Sequence, residues 1–246
     1  MNKWLKRTIA AMLTIFMAAG CLWPANKTEQ VWAAESDPAD GLVGYWTFEG
    51  SSEAERLANK ASEQAVTAVK TGNGVTFDNA GGIGGTSAAS FNGDRSSYLT
   101  LNLAEANLGV TDSGAFTLGL WIKINSLPAA NENTSIFHQE GDQNGNGRAI
   151  LTIGGTGKLG TYLDATNRYC TDTIQAEEWH HVMIAVEAAG GNTRNVHFYL
   201  DGTKTNQEAF TGNLVNGSGN IRVGAHGVNT DNSAVNGLMD EIRYYN

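Results

Sequence analysis

Hydrophobic and polar residues alternate along much of the chain. In Phe116 to Ile124, residues Phe116, Leu118, Leu120, Ile122 and Ile124 take one side, while Thr117, Gly119, Trp121 and Lys123 take the other. The same period runs through Trp179 to Val186, with His180, Val182, Ile184 and Val186 opposite Trp179, His181, Met183 and Ala185. Val196, Phe198 and Leu200 alternate with His197 and Tyr199. At the C-terminus Leu238, Asp240, Ile242 and Tyr244 alternate with Met239, Glu241, Arg243 and Tyr245. A period of two over this length predicts strands. Gly190-Gly191-Asn192 and Asp201-Gly202 supply the turns of a long central hairpin, because glycine, asparagine and aspartate tolerate positive φ.

Shorter runs predict further strands at 41–49, 75–77, 89–94 (a strand into a turn), 98–103, 135–137, 149–153, 158–163 and 220–224. Residues 54–65 offer at most a turn or two of helix, without a clear apolar face. Asn167 to Asp172 reads as a polar turn with Tyr169 embedded in it. No helical heptad pattern competes. The 30 glycines against 3 prolines fall mostly between alternating runs, as many short strands and turns require.

The first residues follow a different rule. Lys3, Lys6 and Arg7 precede an apolar stretch, Ile9 to Gly20, too short to span a bilayer. Residues 1–34 therefore read as a signal peptide, with Val31-Trp32-Ala33 at the cleavage site. A lipoprotein reading stays open at Ala18-Ala19-Gly20-Cys21, with Cys21 as the lipidated residue. Residues 35–40 form a short linker, and 41–246 a single domain. No transmembrane segment is predicted, and a secreted or cell-surface location follows.

Without residues 1–34 the chain keeps 12 basic and 24 acidic side chains, a net charge of −12. Such a surface repels phosphate backbones, which argues against nucleic acid as partner. Cys170 is the one cysteine left, so no internal disulfide forms.

Five short motifs occur in a telling order. Phe91-Asn92-Gly93 precedes Tyr98-Leu99. Phe116-Thr117 leads to Trp121-Ile122-Lys123. Trp179-His180-His181-Val182 is followed by Tyr199-Leu200-Asp201-Gly202, and Gly237-Leu238-Met239-Asp240-Glu241-Ile242-Arg243-Tyr244-Tyr245-Asn246 closes the chain. Together they resemble the bacterial laminin-G-like family of concanavalin A-like domains, over roughly residues 41–246. The resemblance implies an all-β jelly-roll sandwich of two curved antiparallel sheets. Family members usually continue past the last strand, so a fragment of a longer modular protein with neighbouring modules is expected.

The fold does not name a ligand, so candidate chemistry rests on residues. Asp142, Asn144 and Asn146 fit the first half of an EF-hand loop, although position twelve is Ile153 and not a bidentate glutamate. Asn229 and Asp231 lie on a second polar loop. The resemblance implies that calcium would sit between two such loops at the rim. Ordinary turn chemistry also accounts for both loops. Asp240, helped by Glu49, is a further calcium candidate that the resemblance implies; pairing with Arg243 is the competing reading. The expected metal set is thus Asp142, Asn144, Asn146, Asp231 and Asp240.

Trp46, Trp121 and Trp179 match strand positions, so all three are expected in the core. Sugar stacking needs exposed rings, which leaves Tyr162, Tyr169 and Tyr98, with Tyr169 preferred. Asn144, Arg148, Arg168 and Asn229 complete the expected ligand-binding set with Tyr162 and Tyr169, because a few polar groups beside an aromatic face fix a sugar's orientation. A glycosidase needs two carboxylates across the scissile bond, and no Glu-x-Asp-x-x-Glu run occurs. No nucleophile motif stands out either. The sequence points to a non-catalytic carbohydrate-binding module, possible calcium dependence included. An adhesion or spacer module, or an accessory domain of a secreted glycoside hydrolase, are the alternatives.

Overall fold

The computed structural model describes residues 41–61, 66–103, 115–139, 148–163, 166–190, 193–211, 219–226 and 234–246. Two antiparallel sheets face each other. The eight-stranded sheet runs β13 (Thr203–Thr211), β12 (Thr193–Leu200), β11 (His180–Gly190), β6 (Phe116–Ile124), β15 (Asn236–Tyr245), β4 (Ala88–Asn92) and β3 (Val75–Asp78). The eighth strand, β1 (Leu42–Trp46), pairs with the second half of β15, while β4 pairs with the first half. The seven-stranded sheet runs β10 (Asn167–Thr173), β9 (Lys158–Tyr162), β8 (Arg148–Gly154), β7 (Asn133–Gln139), β14 (Ile221–Val223), β5 (Tyr98–Leu101) and β2 (Ala68–Thr71).

The alternation read from sequence decides what fills the space between them. Phe116, Leu118, Leu120, Ile122 and Ile124 of β6 meet Val182, Ile184 and Val186 of β11 and Val196, Phe198 and Leu200 of β12 in one buried cluster. Ile136, Phe137, Ile150, Leu151, Ile153, Leu159 and Cys170 reach the same cluster from the other sheet. Burying this much apolar surface is the main stabilising contribution, at roughly 25 cal/mol per Å².

Several expectations change. Asn167 to Asp172 is strand β10, not a turn, and Tyr169 sits on it. Strand β13 has no apolar alternation, yet pairs with β12 throughout. Both are outermost strands with a single buried residue each, Cys170 and Phe210, so neither face is covered enough to impose alternation. The helix is a single turn, α1 (Glu53–Arg56). Ser52 and Glu55 cap each other's backbone in a capping box, which fixes its start without any buried face.

Candidate functional site

The outer face of the seven-stranded sheet is set by register. Directly paired residues of antiparallel strands share a face. Ala68, Leu101 and Ile221 form one row and point into the core. The next row therefore points outward: Val69, Thr100 and Arg222, then His138, Ala149, Tyr162 and Asn167. It crosses all seven strands. Tyr98, two residues before Thr100, lies on the same side, and its ring sits under the Arg222 guanidinium at 4.3 Å. His138 and His226 pack ring to ring at 4.0 Å. Burial lowers the His138 pKa to about 3, with His226 and Arg222 adding to the effect, so its ring is neutral at pH 7.

Tyr169 belongs to this face as well. It pairs with Gly160 on β9, two residues from Tyr162, and its neighbour Cys170 points inward. Gly160 makes room for the ring: a Cβ there would come within 2.8 Å of the Tyr169 ring carbons and 2.9 Å of Thr152 Oγ1. The ring thus lies over bare backbone. Tyr162 is 37% exposed and Tyr169 39%; with Val69 at 48% they are the large hydrophobic side chains exposed among the described residues. All three stand on one face of one sheet.

The remaining expected ligand residues fall elsewhere. Arg168 shares the parity of Cys170 and turns to the seam between the sheets, where its guanidinium lies 5.3 Å from the Phe210 ring centre. Arg148 is buried at the start of β8, paired with Gln139. Asp142, Asn144, Asn146, Asn229 and Asp231 lie outside the described residues.

Asp240 is fully buried. Its Oδ2 accepts from the Ile83 N–H at 3.1 Å and from the Thr86 hydroxyl at 3.0 Å, and its Oδ1 from the Glu241 N–H at 2.7 Å. Glu49 accepts from the next residue, through the Ser87 N–H at 2.6 Å and its hydroxyl at 3.2 Å. The two carboxylates therefore bracket Thr86-Ser87. Burial, then repulsion from Glu241, raises the Asp240 pKa to about 7. Arg243 does not pair with Asp240; it donates to Glu241 Oε2 at 2.5 Å.

The opposite outer face, on the eight-stranded sheet, was not singled out by sequence. Trp121 was expected in the core; it points away from it, buried edge-on against His181 at 5.4 Å. Trp179 precedes β11 and is half-buried, also outside the core. Met183, Ala185, Tyr199 and Tyr245 form a second apolar cluster here, with Leu42 beside it. Tyr45 donates its hydroxyl to Glu241 Oε2 at 2.6 Å, under the Arg243 guanidinium. The signal was present in single positions, Trp121 on the second face of β6 and Met183 on that of β11, where a solvated sheet carries polar residues.

The profile of the concanavalin A-like lectin/glucanases superfamily, in its laminin-G form, matches residues 91–246. The chain belongs to that superfamily. No curated protein matches this laminin-G domain significantly. Among solved structures it is similar to domain 4 of AbnA, an extracellular arabinanase of Geobacillus stearothermophilus, solved in complex with arabinotriose. Identity is 17%, the TM-score is 0.59, and 83% of this chain and 91% of that one are covered. The binding domain of botulinum neurotoxin serotype G gives 14% identity and a TM-score of 0.61, over 83% of this chain and 47% of the other. Trypanosoma rangeli sialidase gives 14% and 0.59, over 96% and 35%. The laminin-G chain thus spans nearly all of the arabinanase domain, about half of the toxin domain and about a third of the sialidase. These likenesses establish a shared fold.

Among the described residues there is no group of three or more His, Cys, Asp or Glu side chains arranged to hold a metal. No described helix is long and apolar enough to cross a membrane.

Proposed function

We propose that this domain is a non-catalytic carbohydrate-binding module, and that it holds its glycan on the outer face of the seven-stranded sheet. The observation that carries the reading is the pair Tyr162 and Tyr169, exposed on neighbouring strands of one face, with Tyr169 laid over Gly160. Sugar rings present C–H surfaces that pack on such aromatic faces, and nearby polar groups fix their orientation. Asn167 and Thr152 are the polar neighbours in register. The arabinanase domain bound to arabinotriose, on the same fold, supports the ligand class. A shallow face of this kind binds weakly, and neighbouring modules would raise avidity. The proposal includes the jelly-roll curvature of the family and export from the cell.

Calcium belongs to the proposal at Asp240. Asp240 and Glu49 offer carboxylate oxygens, which suit a hard cation. A buried carboxylate whose pKa is pushed to about 7 is one that a cation would relieve. Asp240 and Glu49 would hold the ion, and its contribution would be structural, tying the segment around Thr86 to β15.

The test is depletion of the protein onto insoluble plant, fungal and bacterial cell-wall polymers, with released reducing ends assayed in the same tubes. Depletion without new ends supports the module. New reducing ends contradict its non-catalytic character, and no depletion onto any polymer favours the adhesion or spacer role.

A further inference from the structure

Strand β13 carries one residue more than its partner. Asn206 pairs with Phe198 and Lys204 with Tyr199, so Thr205 is the extra residue of a β-bulge. Phe198 points into the core, and directly paired residues share a face, so the Asn206 side chain also points inward. At this place the inward direction does not lead to the core. Strand β13 ends one sheet, β10 ends the other, and the two outermost strands lie against each other.

Two hydrogen bonds cross between them. Asn206 Nδ2 donates to the Tyr169 carbonyl at 3.3 Å, and the Thr171 hydroxyl donates to the Thr205 carbonyl at 3.2 Å. Asn206 is itself held in place. Its Nδ2 also donates to Glu208 Oε1 at 3.1 Å, and its Oδ1 accepts from the Thr205 hydroxyl at 3.1 Å.

These contacts fall where β10 has least support from its own sheet. Its pairing with β9 runs from Asn167 to Tyr169 and resumes at Thr173, with the register broken in between. Tyr169 is the last paired residue before the break, and its carbonyl is turned toward β13. The ring it carries sits closely on the sheet. It lies over Gly160, and a Cβ at Gly154 on β8 would come within 3.9 Å of its Cε1. A ring laid over two glycines keeps that seat only while its own backbone stays where it is.

We propose that Thr205 and Asn206 are positioning residues of the glycan site. The bulge reaches across from the eight-stranded sheet, fixes the backbone on either side of Cys170, and through it sets the Tyr169 ring. The inference rests on the glycan-binding reading and adds to that site two residues of the opposite sheet. Asparagine suits the role because one amide donates twice and also accepts. Aspartate would only accept, and would set a charge beside the Tyr169 carbonyl and Glu208.

The experiment is a double-mutant cycle on the full chain, read by depletion onto insoluble plant, fungal and bacterial cell-wall polymers. Asn206→Asp should lower affinity by roughly three- to tenfold when Tyr169 is present, as coupled neighbours do. In the Tyr169→Ala background, where Tyr162 still holds the polymer, it should change affinity by less than about twofold. A residue that merely stabilised the domain would act equally in both. Melting midpoints should stay near that of the wild type, because the bonds from Asn206 to Tyr169 and from Thr171 to Thr205 are exposed. Asn206→Gln, which keeps the amide, should recover part of the affinity. Thr171→Val removes the other crossing bond at nearly constant shape; it should repeat the pattern, and it carries the test if Asn206→Asp does not fold. Unchanged affinity in both Asn206→Asp and Thr171→Val, or an equal loss in the Tyr169→Ala background, overturns the inference and leaves the glycan reading standing. A wild-type chain that depletes onto no polymer, or a Tyr169→Ala variant that binds as tightly as the wild type, overturns both.

Discussion

His180 and Asp201 join the start of β11 to the end of β12. Asp201 Oδ2 lies 3.0 Å from His180 Nδ1, and its Oδ1 accepts the His181 N–H at 2.9 Å. The Gln175 N–H donates to His180 Nε2 at 3.1 Å. Nε2 is therefore the acceptor, and Nδ1 carries the proton given to Asp201. Asp201 itself has φ of 49°, a left-handed turn conformation that aspartate tolerates. The motif pair Trp-His-His and Tyr-Leu-Asp-Gly is thus a clamp on the central hairpin, and histidine and aspartate are needed for its hydrogen bonds.

Removing that clamp has a measurable cost. Asp201→Ala should lower stability by about 1–2 kcal/mol, because it strips acceptors from a buried ring and a backbone N–H. Asp201→Asn should also destabilise: an amide cannot accept at both positions while His180 keeps its tautomer. Urea unfolding of the three proteins checks this, and an unchanged midpoint for both variants would contradict the clamp.

Acid should unfold the domain early. Burial, aided by the nearby Arg243 charge, lowers the His181 pKa to about 4, while Asp201 acts the other way. The unfolded chain takes up this proton near pH 6.5 and the folded one does not. Stability from His181 is therefore fully present above pH 6.5 and is lost as pH falls toward 4, on the order of 3 kcal/mol in total. His181→Phe should flatten the melting profile across this window, as read by circular dichroism.

Asp240 works in the opposite sense. Its folded pKa, about 7, lies above that of an unfolded aspartate. Its contribution is present below pH 3.8 and is lost as pH rises through 7. Calcium bound to the carboxylate would restore it. Millimolar calcium should accordingly raise the melting midpoint more at pH 8 than at pH 5, since a bound ion stabilises the folded state. Asp240→Asn should remove the difference. A midpoint indifferent to calcium and chelator at both pH values would contradict the calcium proposal.

Gly160→Ala separates the ring's position from its presence. The added Cβ meets Tyr169 at 2.8 Å and must displace it, while Tyr169 remains in the chain. Glycan affinity should fall several-fold with little change in far-ultraviolet circular dichroism. Isothermal titration against the bound polymer reads this directly.

Much of the fold was legible because burial on one face imposes a period of two. Strands β6, β11, β12 and β15 could be read from their own residues. Strand β10 could not, since its residues are polar on the exposed side and Cys170 alone marks its inner one. Tyr162 and Tyr169 were legible as candidate exposed rings, but not as neighbours. Their proximity depends on the register of β9 with β10, which hydrogen bonding sets and local sequence does not reveal. The outward turn of Trp121 was hidden for another reason: a large aromatic looks the same whether it fills the shared core or the far side of the sheet.

The most direct test of the account is a comparison of polymer depletion by the wild-type chain and by Tyr162→Ala/Tyr169→Ala. The wild type should bind at least one polysaccharide without releasing reducing ends. The double variant should lose tenfold or more in affinity, about 1.4 kcal/mol, while keeping its melting midpoint, because both rings are exposed. Undiminished binding by the folded double variant would contradict the placement of the glycan on this face.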